Sequence, residues 1–409
     1  MIAVSHPTGN EFVRALLVRL EKRNLLGRFF TTVNAPGGRG LSFLPGPIRE
    51  QAGRRTFDIP RARIATRPVR EMARLFAKAA GFSSLTLHES GWASLDAVYA
   101  DLDHAAASWI ENNAAEMSAV HCYEDGAVET FREAARHGIR CSYELPIAYW
   151  KTVHAILDEE AQRLPAWEPT LFSTRDSTKK LERKTEEINL ADVVICPSRF
   201  VHDSLPEEIR STKKCVVANF GSPACLPDAR HVHARAGKKL RVLFAGAMSQ
   251  RKGLADLFEA MKLLDRTDVE LVVMGSPVLP MDFYRQQFSN FIHEPPRPHG
   301  AVMQLMQTCD LLALPSLVEG RALVQQEALA CGLPLIVTAN AGGADLVEEG
   351  ETGFLVPVRA PGKIAEKIGW YADHRDSLPA LRDAARRKAA EYTWEAYAET
   401  IISAGGFEE

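Results

Sequence analysis

Leu311-Leu312-Ala313-Leu314-Pro315-Ser316-Leu317-Val318-Glu319-Gly320-Arg321-Ala322-Leu323-Val324-Gln325-Gln326-Glu327-Ala328-Leu329-Ala330-Cys331-Gly332-Leu333-Pro334 reads as one complete strand–loop–helix unit. Leu311 to Leu314 is apolar at every position and is cut off by Pro315. A strand with no polar face must be covered from both sides, which a parallel sheet between helices provides. Glu319 and Gly320 stand in the loop that follows. A helix begins near Arg321 or Ala322, runs to Ala330, and is stopped by Gly332-Leu333-Pro334.

Working outward, the same unit repeats. Leu240 to Ala245 is a strand, Leu254 to Leu264 a helix, Val269 to Met274 a strand and Leu335 to Val337 another. Pro361 to His374 and Pro379 to Glu391 have helical spacing. The first half alternates in the same way. Met1 to Val4 is a strand, His6 to Asn10 a glycine-containing loop and Glu11 to Leu20 a helix. Ala119 to Cys122, Ile139 to Tyr143 and Ala191 to Cys196 are strands separated by helical stretches, among them Thr152 to Leu164 and Thr178 to Asn189. The expectation is an α/β chain of two Rossmann-like doubly wound parallel-sheet domains, and 409 residues is long enough for two. The boundaries read 1–224 for an N-terminal domain, 225–239 for a linker rich in Gly, Pro, His and basic residues, and 240–391 for a C-terminal domain. Residues 392–409 hold a closing amphipathic helix expected to pack back toward the N-terminal domain.

Composition excludes several classes. The net charge is -3 with pI near 6.5, where a protein devoted to nucleic acid would be clearly basic. No apolar run approaches the roughly 18 residues of a membrane span. The first residues have neither a basic n-region nor a long apolar h-region, so they read as a strand and not a signal peptide. The seven Cys form no CxxC pair, and most sit in apolar runs such as Val193-Val194-Ile195-Cys196. They read as buried free thiols in a reducing cytosol. The expected localisation is cytoplasmic, or peripheral at the inner face of the membrane.

The decisive stretch also carries chemistry. The N-terminus of its helix exposes unpaired backbone N–H groups and the positive end of the helix dipole, an anion site suited to a diphosphate. Glu327, in the second turn, is an acceptor able to take two hydrogen bonds from a vicinal diol such as a ribose, and Glu319 could do the same for sugar hydroxyls. A second segment, Phe244-Ala245-Gly246-Ala247-Met248-Ser249-Gln250-Arg251-Lys252-Gly253, ends a strand on Gly246 and leads into a loop with two adjacent cations. Such charge suits a leaving diphosphate, with Arg binding in bidentate fashion and Lys as a point charge.

On these residues the sequence resembles the GT-B fold retaining glycosyltransferases of family 4 (glycosyl transferases group 1). Their signature sets two Glu eight positions apart within Pro-Ser-x-x-Glu-Gly … Glu-Ala-x-Ala-Cys-Gly-x-Pro, which Pro315 to Pro334 matches nearly throughout. The resemblance implies that Glu327 binds the donor ribose, that Glu319 contacts the donor sugar, and that the amides of Leu323 and Val324 face the diphosphate. Gly246, Gly320 and Ala322 would complete the donor contacts, and Ile292-His293-Glu294 would meet the nucleobase. Two departures stand out. The family's Gly-Phe-Gly is Gly320-Arg321-Ala322 here, and the Arg of its Gly-Arg-x-x-x-x-Lys-Gly is Ala247, leaving Arg251 beside Lys252 as its substitute. The resemblance covers residues 190–400 well and the first half loosely.

The activity implied is retaining transfer of a hexosyl group from a UDP- or GDP-sugar to a glycan, lipid-linked or small-molecule hydroxyl acceptor, with no metal and no cofactor beyond the nucleotide-sugar co-substrate. Catalytic candidates are Glu319, Lys252, Arg251 and Glu144, the last where many relatives carry a His. Gly9 lies in the first strand-to-helix loop, near the reacting sugar in this fold. His121 and Glu124 are further cleft candidates. Asp101-Leu102-Asp103 imitates a metal-binding DxD but lies in a helical stretch, so no metal site is expected there. The basic stretch 48–78 reads as a solvated face, or as contact with an anionic membrane or a phosphate-bearing lipid. Two other functions stay open: a non-catalytic relative that binds nucleotide sugar or a partner, and another enzyme of the same fold such as a sugar-nucleotide epimerase.

Overall fold

In the computed structural model, residues 1–35, 46–53, 55–224 and 239–407 are described. Two parallel sheets organise them. The first contains β1 (Ile2–Ser5), β2 (Leu26–Thr31), β3 (Ile64–Thr66), β4 (Ala119–Tyr123), β5 (Arg140–Glu144), β6 (Val193–Cys196) and β7 (Lys214–Val217) in the order β3-β2-β1-β4-β5-β6-β7. The second contains β8 (Leu240–Ala245), β9 (Val269–Met274), β10 (Phe291–Glu294), β11 (Leu311–Leu314), β12 (Leu335–Val337) and β13 (Gly353–Leu355) in the order β10-β9-β8-β11-β12-β13. The doubly wound α/β expectation holds in both halves. The central strands β1, β4, β6 and β11 are buried at every position, and β6 and β11 are accordingly legible as unbroken apolar runs.

In each sheet the strand order reverses once, between β1 and β4 and between β8 and β11. Loops at the carboxyl ends of these strands part to opposite faces and leave a crevice where ligands bind. That rule selects His6 to Asn10 after β1, Gly246 to Gly253 after β8, and Pro315 to Ala322 after β11.

The chain crosses between the halves on each side. The last helix, Trp394–Gly405, lays Tyr397, Ala398, Ile401 and Ile402 against Phe12, Val13, Leu16 and Leu20 of the helix Glu11–Lys22. Arg19 pairs with Glu399 and, at 2.9 Å, with Glu395. In the other direction, the helix Trp150–Arg163 leads into a short turn that inserts Trp167 into the core under β8 and β9. The indole packs edge-on against Phe283 at 5.0 Å, Tyr284 at 5.7 Å and Phe258 at 6.2 Å. The linker expected at 225–239 lies, apart from Lys239, outside the described residues, as do Arg54 and Cys225. Among the described residues no helix is long and apolar enough to cross a membrane.

Candidate functional site

The cations after β8 and the acid after β11 meet because their loops are pressed together. Gly253 has φ +76°, and a Cβ there would lie 2.1 Å from the Pro315 carbonyl oxygen, so only glycine allows this approach. The backbone of Leu317 then donates to the Arg251 carbonyl at 2.9 Å. Lys252 Nζ stands 2.5 Å and Arg251 Nη1 2.9 Å from Glu319 Oε1, and Arg251 also donates to the Val318 carbonyl at 3.0 Å. Burial pushes the Lys252 pKa down, Glu319 opposes that shift and Arg251 adds to it. Two cations are thus held side by side with one acid between them, a buried pairing that each partner depends on.

The loop carrying Arg251 and Lys252 is fastened from the N-terminal half of the chain. Thr170 Oγ1 accepts from the Gln250 backbone at 3.0 Å, and Gln250 Nε2 donates to Glu160 at 2.6 Å and to Asp256 at 2.7 Å. Arg163 bonds both acids, at 2.6 and 2.8 Å, and Arg359 bonds Glu160 at 2.8 Å. No sequence signal marks Glu160 or Thr170 for this role: Glu160 lies in the charged helical stretch Thr152 to Leu164, and Thr170 in the turn that follows it.

The second acid sits on a separate wall. The helix Leu323–Ala330 begins one residue after Ala322, whose own N–H turns to the Ala341 carbonyl at 3.4 Å. Leu323 and Val324 therefore head the helix, where amides have no helical acceptor, and the Ala322 amide is already engaged. Glu327, one turn on, lines a cleft of about 1130 Å³ together with Leu323, His299, Gly9, Thr8 and Arg14. Burial raises the Glu327 pKa, partly offset by His299, whose Nδ1 lies 3.3 Å from its carboxylate. Gly9 faces this cleft with Phe57 close behind it. Its loop is shaped by His6, which the sequence reading did not single out. His6 is buried against Tyr123, its Nδ1 is 3.1 Å from the Thr8 amide, and burial lowers its pKa to about 4. Gly246 ends β8 with Lys252 beside it, and His293 Nε2 lies 3.0 Å from the Gly275 carbonyl at the end of β9.

Gly320 is where the two domains touch. Its carbonyl accepts from Ser198 Oγ at 2.6 Å, and a Cβ would lie 1.7 Å from the Pro146 carbonyl oxygen. Arg321, in place of the family's Phe, turns away from the cations. Its buried guanidinium reaches Asn219 at 2.8 Å and Asp345 at 3.2 Å and lies 5.0 Å over the Tyr392 ring.

Glu144 does not belong to the cleft. It is fully buried at the end of β5, and both carboxyl oxygens accept from the Tyr397 hydroxyl, at 2.9 and 2.8 Å, with His121 Nε2 3.4 Å away. The closing helix covers this strand end, so the catalytic expectation for Glu144 is corrected to a buried link, and His121 goes with it. Glu124, from the neighbouring strand, lines a smaller cavity of about 260 Å³ with Trp150, His154, Phe172 and Asp176. Burial pushes its pKa to about 7, against the pull of Lys184. Asp103 accepts from the backbone of Glu129 and Thr130 at 2.9 Å each, and Asp101 pairs with Arg67 at 2.9 Å, so both acids of the DxD imitation serve structure.

Two facing doubly wound parallel-sheet domains define the GT-B fold. Residues 227–389 match the family model for glycosyl transferases group 1. D-inositol 3-phosphate glycosyltransferases are similar in sequence. The one from Corynebacterium diphtheriae is 29% identical over 250 residues, 58% of this chain and 55% of that one. The one from Jonesia denitrificans is 30% identical over 176 residues, 40% of this chain and 42% of that one. The chain thus spans about half, or less, of the length of the curated relatives it matches. Solved structures share the fold along nearly the whole chain. Sucrose-phosphate synthase from Thermosynechococcus elongatus aligns with TM-score 0.61 at 18% identity, covering 98% of this chain and 97% of that one. Anabaena Alr3699/HepE in complex with UDP aligns with TM-score 0.61 at 17% identity, covering 98% of each.

Proposed function

We propose that this chain transfers a hexosyl group, with retained stereochemistry, from a UDP- or GDP-sugar to a hydroxyl acceptor. One observation carries the reading: Lys252 and Arg251 converge on Glu319 beside the N-terminus of Leu323–Ala330, with Glu327 on the adjoining cleft wall. The donor diphosphate takes the place of the Glu319 carboxylate between the two cations. Glu319 is then released to accept from the sugar hydroxyls, and Glu327 accepts from the ribose diol. As the glycosidic bond breaks, the diphosphate gains charge, which Lys252, Arg251 and the amides of Leu323 and Val324 stabilise without a metal. The acceptor, a glycan, lipid-linked or small-molecule hydroxyl, enters from the N-terminal side. The cavity between Glu124, Asp176, Trp150 and Phe172 offers carboxylates for hydroxyls and aromatic faces for a sugar ring. Retention of configuration rests on the family resemblance. The relatives' solved complex with UDP supports a uridine donor.

The test is a thermal-shift series with UDP, GDP, ADP and their sugar conjugates on the wild type and Glu327→Ala. A shift of several degrees for one nucleotide, weakened in the variant, is the expected outcome. No shift with any nucleotide overturns the donor site. A shift without donor hydrolysis or transfer would favour a binding protein over an enzyme.

A further inference from the structure

Eleven large apolar side chains are exposed among the described residues, and seven of them fall between Val69 and Leu95: Val69, Phe76, Phe82, Leu85, Leu87, Trp92 and Leu95. Val69 is 67% exposed and Phe82 62%. Part of the reason is visible in the helix Pro68–Ala80. It buries Glu71, Leu75 and Ala77, yet Val69, Ala73, Phe76 and Ala80 recur at i, i+4, i+7 and i+11, a second apolar stripe on the solvent side. The loop after it adds Phe82 to Trp92, and the bond between His88 and Asp176 at 3.0 Å brings the exposed Phe172 alongside. Isolated surface apolar groups need no explanation, but a contiguous set this size marks a contact surface.

Basic residues outnumber acids on this face, and the acids at its border are paired, Asp101 with Arg67 and Asp96 and Asp176 with Lys180. Residues 61–95 hold six Lys or Arg and two Glu, and both acids are spent inward. Glu71 is buried between Arg55 and Arg74, and Glu89 accepts from the Ser177 backbone and pairs with His88. The Arg70 guanidinium lies 5.2 Å over the Trp92 ring and the Arg175 guanidinium 5.1 Å over the Phe172 ring, while Lys78 and Lys179 stand exposed. Aromatic bodies flanked by cations fit the boundary between lipid headgroups and acyl chains, with anionic headgroups as the counter-charge. A second copy of the chain packed by two-fold symmetry would set these cations against each other.

We infer that the face formed by Val69, Phe76, Phe82, Leu87 and Trp92, with Arg70 and Lys78 beside them, docks this protein on an anionic lipid bilayer. The docking surface is thus apolar and cationic together; it shares Val69, Arg70, Phe76 and Lys78 with the basic stretch 48–78 and extends beyond it to Phe82, Leu87 and Trp92, while Arg55 and Arg74 of that stretch serve Glu71. Through Phe172 it borders the cavity of Glu124 and Trp150. The inference does not depend on the proposed transferase activity.

The experiment is co-sedimentation of the full chain with vesicles of phosphatidylcholine alone and with about a third phosphatidylglycerol. Wild type is expected to bind the anionic vesicles and to lose binding as salt rises. Phe82→Ser with Trp92→Ser is expected to weaken binding about tenfold or more, at an unchanged melting temperature and unchanged nucleotide-induced shift. Failure of wild type to bind anionic vesicles at low salt overturns the inference, as does equal binding by the double variant. A wild-type dimer in analytical ultracentrifugation that the double variant turns into a monomer assigns the face to a second copy and overturns it too. No nucleotide is needed for binding, so this result and that of the donor-site test stand apart.

Discussion

At the residue scale, the proposed donor site is a competition between a carboxylate and a diphosphate for two cations, Arg251 and Lys252, which Glu319 holds in the ligand-free protein. Glu319 and Lys252 are both nearly buried, and a buried pair is stable only while both partners stay. A diphosphate can replace the carboxylate because it supplies more charge and more acceptors to the same donors. Glu327 is the residue whose chemistry is readable by pH. Its pKa is raised above the ordinary carboxylate value of ~4.3, so in the ligand-free protein it takes up its proton at a higher pH than an exposed Glu. A protonated acid loses acceptor capacity for a diol. Donor affinity is therefore expected to fall as pH drops through that raised pKa, and to level off above it. Glu327→Gln should bind more weakly near neutral pH and lose this limb of the profile. Calorimetric titration of the nucleotide across pH checks it, and an identical limb in the variant would assign the proton elsewhere.

At the element scale, the short turn after the helix Trp150–Arg163 is the unexpected part. Its Trp167 belongs by sequence to the first half and by packing to the core of the second. The same segment carries Glu160 and Thr170, which hold Gln250 next to Arg251 and Lys252. Trp167→Ala is expected to cost about 3–5 kcal/mol of stability, the range for emptying a large aromatic site. It should also weaken donor binding, because the cation loop loses its anchor. Urea denaturation and nucleotide titration of the same variant read both effects. A stability loss with unchanged nucleotide affinity would show that the turn supports the core alone. The segments that carry Gly246, Lys252, Glu319 and Glu327 were open to sequence reading as loops and a helix after strands, since these residues sit at fixed offsets from apolar strands. The turn was not, because its charged helix gives the same pattern as a solvated one.

At the scale of the whole molecule, the two halves are joined by chain that leaves one and completes the other. Tyr397, near the C-terminus, gives its hydroxyl to Glu144 beneath the N-terminal sheet. Tyr397→Phe removes that donor and leaves a buried carboxyl short of a partner, which is expected to cost about 1–3 kcal/mol. A lower urea midpoint with an unchanged slope checks it, and an unchanged midpoint would mean that His121 suffices. The sequence by itself determined the doubly wound α/β class, because strands such as β6 and β11, buried on both faces, read as apolar runs that alternate with helical stretches. It also placed a loop with two adjacent cations after β8 and an acid-bearing loop after β11, since both rest on local offsets. Only the tertiary structure decided that Glu144 is sealed under the closing helix, that Arg321 turns to Asp345 and Asn219, that His6 shapes the first loop, and that Trp167 reaches across. Each of those depends on which residue from elsewhere in the chain arrives beside it, and no local pattern of hydrophobicity or charge encodes that arrival.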